Sequence, residues 1–195
     1  MNVALRRPGM TVEDFLDWEN RQDARWEFDG DAPVAMVGGT VAHSLTVTNL
    51  VLALGRRLQP PCRVHVEGVK LRLARGVRYP DAMVVCGPLH PKATEISDPV
   101  VVFEVLSPGT FRTDRPAPSR TDRIDKNREY AAHASILRYI LLEQDAIAAE
   151  VYARDGERWV RSTLTGDDVL ALPEIGIELP LAEAYAGLDP NPAPG

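Results

Sequence analysis

The chain has 195 residues, a hydrophobic content of 45% and a charged content of 26%, which are typical of an ordinary globular domain. Its formal net charge of −6 does not indicate a nucleic-acid-binding protein, because phosphate recognition usually leaves a basic signature. A local basic patch can nevertheless lie on an acidic protein, so the charge does not exclude such a partner.

The chain shows no signal for a membrane. No apolar run approaches the roughly 18 residues of a membrane span, and residues 1–10 contain arginines but no apolar signal core. We therefore expect a single cytoplasmic domain over residues 1–188 and no membrane partner. The Pro-rich, apolar-poor end predicts a disordered tail over residues 189–195.

The first predicted elements are a helix and a β-hairpin. Thr11 followed by Asp14 is close to a capping box and predicts a helix over residues 11–20. Asp29-Gly30 between two apolar runs predicts an N-terminal hairpin. Glu27 alternates with aromatic residues in the first strand of this hairpin and points away from them, so that an exposed carboxylate is one interpretation.

A second helix and a second hairpin follow. Residues 41–58 predict a largely buried helix, because apolar residues recur at helical spacing. His43 lies in its first turn, where a capping or core role is the alternative to a catalytic one. Residues 63–65 and 69–73 predict a hairpin, in which Lys70 alternates with apolar residues as on a solvated strand face.

Two cysteines, Cys62 and Cys86, lie in or beside predicted strands. Their spacing does not match that of metal ligands. Free cysteines are commonly buried and behave as small apolar residues, so we expect two buried, reduced thiols.

Two apolar runs are each interrupted by one carboxylate. Residues 79–86 contain Asp81, and residues 100–107 contain Glu104. Short runs rich in β-branched residues predict strands, and their weak alternation indicates that both faces are covered, as in the middle of an α/β sheet. An ionised carboxylate in such a strand is costly unless it is paired or binds a metal. A cation shared by two neighbouring strands is the simplest explanation.

The rest of the chain predicts a loop, a helix and a meander. Residues 108–120, rich in Pro, Thr, Ser and Arg, predict a mobile loop directly after the second carboxylate. Residues 122–133 predict a helix with Lys126 and Tyr130 on one face. The remaining predicted elements are strands over residues 137–142 and 146–152, a continuing strand over 156–160, and a short helix over 180–185.

The available side chains indicate a hard cation. The sequence has no Walker loop, GxGxxG, HExxH or CxxC pattern, and its four histidines form no zinc constellation. Asp81, Glu104 and Glu27 suit Mg²⁺ or Mn²⁺. Such an ion serves phosphodiester hydrolysis, because it neutralises phosphoryl charge and lowers the pKa of a bound water. A nearby lysine would orient that water or stabilise developing charge.

A structural interpretation of the two acids stays open on the residues alone. Asp81 could be a turn residue after Pro80, and Glu104 could be the buried partner of Arg78 or Arg128.

Several short motifs occur in the order found in one protein family: Thr11-Val12-Glu13-Asp14-Phe15, Glu27 before Asp29-Gly30, Ala42-His43 at a helix start, Arg78-Tyr79-Pro80-Asp81, Phe103-Glu104-Val105-Leu106-Ser107-Pro108 and Lys126-x-x-x-Tyr130. With them the chain resembles the Uma-two family of bacterial endonucleases, within the PD-(D/E)-x-K restriction-endonuclease-like superfamily. The resemblance implies an α/β (α+β) fold with a central mixed sheet flanked by helices and with N-terminal and C-terminal β-hairpins.

The resemblance also implies roles for individual residues. Asp81 and Glu104 would bind the metal, the backbone carbonyl of Val105 would be a third ligand, and Glu27 would complete the shell directly or through water. The lysine of the superfamily motif would fall at position 106, where this chain has Leu106.

The substitute for that lysine is then the open question. Lys126, together with Tyr130, matches the family pattern and is expected to be supplied from the helix. Lys70, on the strand before Asp81, is the alternative.

The leading functional hypothesis is a Mg²⁺-dependent (or Mn²⁺-dependent) endonuclease that cleaves DNA. Four arginines would bind the DNA phosphates: Arg112, Arg115, Arg120 and Arg123. The alternatives are a catalytically inactive nucleic-acid-binding or regulatory module on the same fold and a self-associating structural protein. A homodimer is expected on general grounds.

Overall fold

The structure, a computed structural model, describes residues 9–36, 38–106 and 119–188, with the backbone alone for residues 119–125. Most of the predicted mobile loop, with Arg112 and Arg115, lies outside the described residues, as do the side chains of Arg120 and Arg123 and the predicted tail.

The described chain contains α-helices separated by groups of consecutive strands. The helices are α1 (Val12–Glu19), α2 (Val41–Arg57) and α3 (Ser119–Ala132). The strands are β1 (Trp26–Phe28), β2 (Pro33–Ala35), β3 (Arg63–Val66), β4 (Lys70–Arg72), β5 (Val77–Arg78), β6 (Ala82–Val85), β7 (Glu95–Ile96), β8 (Val101–Val105), β9 (Arg138–Leu142), β10 (Ala148–Asp155), β11 (Arg158–Thr165), β12 (Val169–Leu172) and β13 (Ile177–Pro180). Short 3₁₀ turns cover Pro173–Ile175 and Leu181–Tyr185, the latter at the predicted last helix.

A six-stranded mixed sheet lies at the centre, in the order β11-β10-β9-β8-β6-β3. Only its β8–β9 pair is parallel, whereas the other neighbours are antiparallel. Parallel neighbours need a long crossover, and the segment that contains α3 supplies it. The two carboxylate-bearing segments are adjacent at β6 and β8, as predicted. The predicted C-terminal meander is formed by β9, β10 and β11.

Both faces of the central sheet are covered. On one face, Leu50 and Leu54 of α2 share a buried cluster with Phe103 of β8. On the other face, Tyr130 of α3 shares a second buried cluster with Met83 of β6. The weak alternation of the two strands is therefore explained by burial on both sides, and the predicted mixed sheet with flanking helices is confirmed.

The helix starts follow the local sequence. The hydroxyl of Thr11 accepts from the backbone N–H of Asp14 at 3.1 Å, and the Asp14 carboxylate accepts from the Thr11 N–H at 3.0 Å, which completes the predicted capping box. At α2, the Thr40 hydroxyl accepts from the His43 N–H at 3.1 Å.

No helix in the described part of the chain is long and apolar enough to cross a membrane.

A second sheet has the order β2-β1-β5-β4-β7 and contains the predicted N-terminal hairpin. The predicted hairpin of β3 with β4 is wrong: β3 pairs with β6 in the central sheet, whereas β4 pairs with β5 and β7. The turn itself exists, since the Val69 N–H donates to the Val66 carbonyl at 3.2 Å. The strands diverge because Val64 packs against the cluster under α2, and Leu71 belongs to the cluster on the opposite face.

The two cysteines form a disulfide, so the expectation of buried, reduced thiols is wrong. Cys62 and Cys86 are bonded and both are half-buried. The antiparallel register places Arg63 opposite Val85, and the next pair outward is Cys62 and Cys86. The pairing of β3 with β6 therefore brings the two cysteines together. The predicted β3–β4 hairpin did not place Cys62 beside Cys86.

Candidate active site

Two carboxylates lie at the same end of neighbouring central strands. Asp81 directly precedes β6, and Glu104 is the fourth residue of β8. Because Ala82 pairs with Phe103 in the antiparallel register, the two acids leave the sheet close to each other. Both side chains are only 12% exposed, so their charges are held in a partly dehydrated place.

Both oxygens of Asp81 are hydrogen-bonded. Its Oδ2 accepts from the backbone N–H of Val105 at 2.6 Å, and its Oδ1 lies 3.0 Å from Nε2 of His43. The bond to Asp81 raises the pKa of His43 against the opposing effect of burial. The structure thus brings His43 into the site, one turn inside a helix that Thr40 caps.

Glu104 is held by groups from α3. Its Oε1 accepts from Nζ of Lys126 at 3.3 Å and from the Tyr130 hydroxyl at 2.9 Å. The four-residue spacing places both donors on one helix face, as predicted. Burial raises the pKa of the Tyr130 hydroxyl well above its ordinary value, and the Glu104 charge adds to this, so Tyr130 acts as a donor.

The charge balance around Glu104 is unfavourable for its ionised form. Burial raises the pKa of the Glu104 carboxyl to about 7. Lys126 opposes this rise, and the negative charges of Asp81 and Glu27 reinforce it. Burial and the two neighbouring carboxylates therefore outweigh the effect of Lys126 on Glu104.

Glu27 is buried, so its interpretation as an exposed carboxylate is wrong. Its Oε1 accepts from the Tyr79 N–H at 3.0 Å and from Nζ of Lys126 at 3.3 Å, and its Oε2 accepts from Arg78 at 3.2 Å. Burial alone would raise the pKa of Glu27, but Lys126 and Arg78 together lower it. The structure therefore presents Glu27 as an ion-paired anchor for a lysine.

Arg78 and Glu129 form a bidentate pair that sequence reasoning missed. Nε and Nη2 of Arg78 donate to the two Glu129 oxygens at 2.8 and 2.9 Å, and Arg78 is 1% exposed. Burial lowers the pKa of Arg78, but Glu129 and Glu27 raise it by more. The spacing of Glu129 from Lys126, three residues on one helix, was the signal that could have found it.

The structure does not support the alternative interpretation, in which Glu104 is the buried partner of Arg78 or Arg128. Arg78 bonds Glu27 and Glu129, and Arg128 is exposed. The partners of Glu104 are Lys126 and Tyr130.

Lys70 is placed elsewhere. Its Nζ lies 2.7 Å from the Glu19 carboxylate and donates to Oδ1 of Asn20 at 2.9 Å. Tyr79 also donates its hydroxyl to Glu19 at 2.9 Å. Lys70 is buried, so the predicted solvated strand face is wrong, because α1 covers it. Of the two candidate lysines, the structure brings Lys126 to the acids.

The donor set fits a magnesium ion. Within the described ranges, no group of three or more His, Cys, Asp and Glu side chains is arranged to hold a metal ion. Mg²⁺ is, however, usually bound through one or two carboxylates and keeps several waters. Asp81 and Glu104 supply such oxygens. Burial raises the pKa of the Glu104 carboxyl, and the charges of Asp81 and Glu27 add to this rise, so a cation at this place would favour the ionised carboxylate.

An Asp directly before one strand, a Glu on the neighbouring strand of a mixed sheet and a lysine hydrogen-bonded to the Glu form the arrangement that the resemblance to restriction-endonuclease-like proteins implies. The fold is similar to a crystal structure from Anabaena variabilis ATCC 29413, described as "a putative nuclease belonging to DUF820". The TM-score is 0.71 at 15% sequence identity, over 91% of this chain and 98% of that chain. At this identity the likeness shows the fold alone.

The chain belongs to the Uma2 family, described as "Putative restriction endonuclease", whose model matches residues 12–182. This confirms the resemblance to the Uma-two family. A protein of Synechocystis sp. (strain ATCC 27184 / PCC 6803 / Kazusa), named as uncharacterized, is 29% identical over 187 residues, which cover 93% of this chain and 94% of the relative.

Proposed function

We propose that the protein is a Mg²⁺-dependent endonuclease that hydrolyses phosphodiester bonds of DNA. The single observation that carries the proposal is the contact of Lys126 with both Glu27 and Glu104 at 3.3 Å. It supplies, from α3, the positive group that the family motif requires beside its acids. Membership of a family described as "Putative restriction endonuclease" supports the reaction class.

Asp81, Glu104 and the Val105 carbonyl would hold the Mg²⁺ or Mn²⁺ ion. When bound, such an ion neutralises phosphoryl charge and lowers the pKa of a bound water. Lys126 is the residue that would orient the attacking water or stabilise charge on the phosphoryl oxygens. Tyr130 keeps the Glu104 carboxylate in place.

Glu27 and Arg78 position the lysine. The Glu27 carboxylate accepts from Lys126 and is itself fixed by Arg78 and by the Tyr79 N–H. A role of Glu27 as a further metal ligand, directly or through water, stays a prediction.

The substitution of Leu106 for the motif lysine has a local explanation. Leu106 is buried in the apolar cluster that contains Met83 and Tyr130. A lysine there would place its charge among apolar side chains, and α3 approaches the acids from the same face. We infer that the positive charge moved from the strand to the helix.

The proposal is tested by metal binding and cleavage on the same samples. Mn²⁺ is titrated by calorimetry into metal-free wild type and Asp81→Ala, and both are assayed for plasmid nicking with and without the ion. We expect binding and nicking by the wild type only. Lys126→Gln should bind Mn²⁺ but nick poorly. Lys92→Gln, with the same charge change on an exposed lysine, is the control.

The other outcomes separate the competing functions. Binding of Mn²⁺ by the wild type without nicking would favour the inactive nucleic-acid-binding or regulatory module. Absence of Mn²⁺ binding by the wild type would overturn both metal-dependent functions.

A homodimer also stays a prediction, which sedimentation equilibrium would test. It is likewise a prediction that four arginines contact DNA: Arg112, Arg115, Arg120 and Arg123. Replacing all four by Gln should weaken DNA binding and reduce its salt dependence.

A further inference from the structure

A closed ring of hydrogen bonds joins the two oxygens of Asp81. From Oδ1 the path runs to Nε2 of His43 at 3.0 Å, and the His43 backbone N–H donates to the Thr40 hydroxyl at 3.1 Å. That hydroxyl donates to Oε1 of Gln144 at 2.6 Å, and Nε2 of Gln144 donates to the Leu106 carbonyl at 2.7 Å.

The ring closes through the backbone. Leu106 follows Val105, whose N–H donates to Oδ2 of Asp81 at 2.6 Å. Each oxygen of the Asp81 carboxylate is therefore tied to a different arm. One arm is the first turn of α2, and the other is the end of β8, which bears Glu104.

Donors and acceptors agree around the ring. The Thr40 hydroxyl accepts once and donates once, and the Gln144 amide uses its oxygen and its nitrogen on different neighbours. An ionised Asp81 carboxylate only accepts, so Nε2 of His43 carries the proton of their bond. Gln144 is buried, so its two bonds replace water that it has lost.

The absence of a side chain at Gly39 leaves room for the imidazole of His43. A Cβ added at Gly39 would lie 2.8 Å from Cδ2 and 2.9 Å from Cγ of the ring, closer than real side chains approach. Nδ1 of His43 is buried and has no hydrogen-bond partner within the described part of the chain. The bond to Asp81 and the space that Gly39 leaves thus set the position of the imidazole.

We propose that Gly39, Thr40 and Gln144 are positioning residues that act through His43 and through the end of β8 to orient the Asp81 carboxylate for the cation. This inference rests on the proposed function. Residues that orient a metal ligand typically change metal affinity by about 10- to 100-fold when they are replaced.

The first experiment separates positioning from helix capping. Thr40→Val removes the hydroxyl, Thr40→Ser keeps it, and Thr11→Val removes the matching cap of α1, which contacts none of the ring residues in its capping box. We expect Thr40→Val to weaken Mn²⁺ binding by about tenfold and Thr40→Ser to restore it. Thr11→Val should lower the thermal midpoint but keep the wild-type affinity.

The second experiment moves the imidazole without removing a hydrogen bond. Gly39→Ala should displace the His43 ring and weaken Mn²⁺ binding to a similar degree. Gly38→Ala is the matched control, because an added Cβ there meets nothing within 4 Å. Equal affinities of Gly39→Ala, Thr40→Val and the wild type would overturn the inference.

A measurement on the metal-free protein distinguishes failure of the inference from failure of the proposed function. Long-range ¹H–¹⁵N spectra report the tautomer of His43, with its signals assigned by their loss in His43→Asn. We expect a proton on Nε2 in the wild type and an altered spectrum in Gly39→Ala and in Gln144→Leu. Failure of the wild type to bind Mn²⁺ would overturn the proposed metal-dependent function. Unchanged His43 signals in both variants would instead overturn the ring of hydrogen bonds.

Discussion

Lys70 and Lys126 both contact carboxylates, and their surroundings differ. Lys70 lies 2.7 Å from Glu19 and donates to the neutral side chain of Asn20. Lys126 is shared at 3.3 Å by Glu27 and Glu104. The first arrangement is a compact pair that fastens α1 to β4. The second leaves a carboxylate whose pKa is raised to about 7.

The difference indicates how a structural ion pair and a functional site diverge. A buried pair is retained when each charge is compensated and its remaining hydrogen-bonding groups are satisfied. A site that binds a cation needs carboxylates whose charge is not fully compensated before the cation arrives. Burial of a lysine alone therefore does not identify the functional one.

The largest expected effect on stability is at Lys70. Lys70→Met leaves Glu19 as a buried charge without its lysine, and loss of one partner of such a pair costs about 3–5 kcal/mol. Urea unfolding measures the change. Lys70→Met combined with Glu19→Leu should recover much of the loss, because the uncompensated charge is gone. A Lys70→Met variant of wild-type stability would show that the pair is not structural.

The largest expected effect on activity is at Lys126. Lys126→Gln should reduce the rate of plasmid nicking by about 10²–10³-fold, the usual result of removing one charge-stabilising donor. Single-turnover cleavage at saturating Mn²⁺ measures the change. The folded fraction of Lys70→Met is the comparison and should cleave at a wild-type rate. Equal losses in the two variants would contradict the distinction between the lysines.

A smaller effect concerns pH and Glu104. Its pKa is about 7 in the folded protein against an ordinary value of 4.5. Below pH 4.5 the carboxyl is protonated in both states. Between pH 4.5 and 7 the unfolded chain loses the proton first, so the folded protein loses stability as the pH rises. Above pH 7 this loss is complete and constant.

Glu104→Gln removes that titration. In metal-free buffer, the free energy of unfolding of the wild type should fall relative to the variant between pH 5 and pH 7.5, by on the order of 1 kcal/mol or more. Urea unfolding at several pH values measures it. A difference between the two proteins that does not vary with pH would contradict the raised pKa.

Local patterns were sufficient for most helices and for several strands. The capping box at Thr11, the turn at Asp29-Gly30 and the apolar runs around Asp81 and Glu104 each correspond to the element that they predicted. These signals depend on residues within a few positions of one another, so they do not require contact with an element distant in sequence. Family motifs then selected Lys126 in advance of the geometry.

Partners distant in sequence explain the failures. The pairing of β3 with β6, and with it the disulfide of Cys62 and Cys86, depends on which face of the sheet each strand covers. Lys70 and Glu27 alternate with apolar residues as exposed side chains do, but α1 covers the first and Lys126 meets the second.

The sequence by itself determined the family, the order of the main elements, and the acids and lysine of the candidate site. Only the tertiary structure decided how the acids are held. Thr40 meets Gln144 across 104 residues, and Gln144 meets Leu106 across 38. No sequence periodicity of hydroxyl and amide side chains predicts such a contact. The packing of apolar side chains decides which strand or helix comes within hydrogen-bonding distance of them.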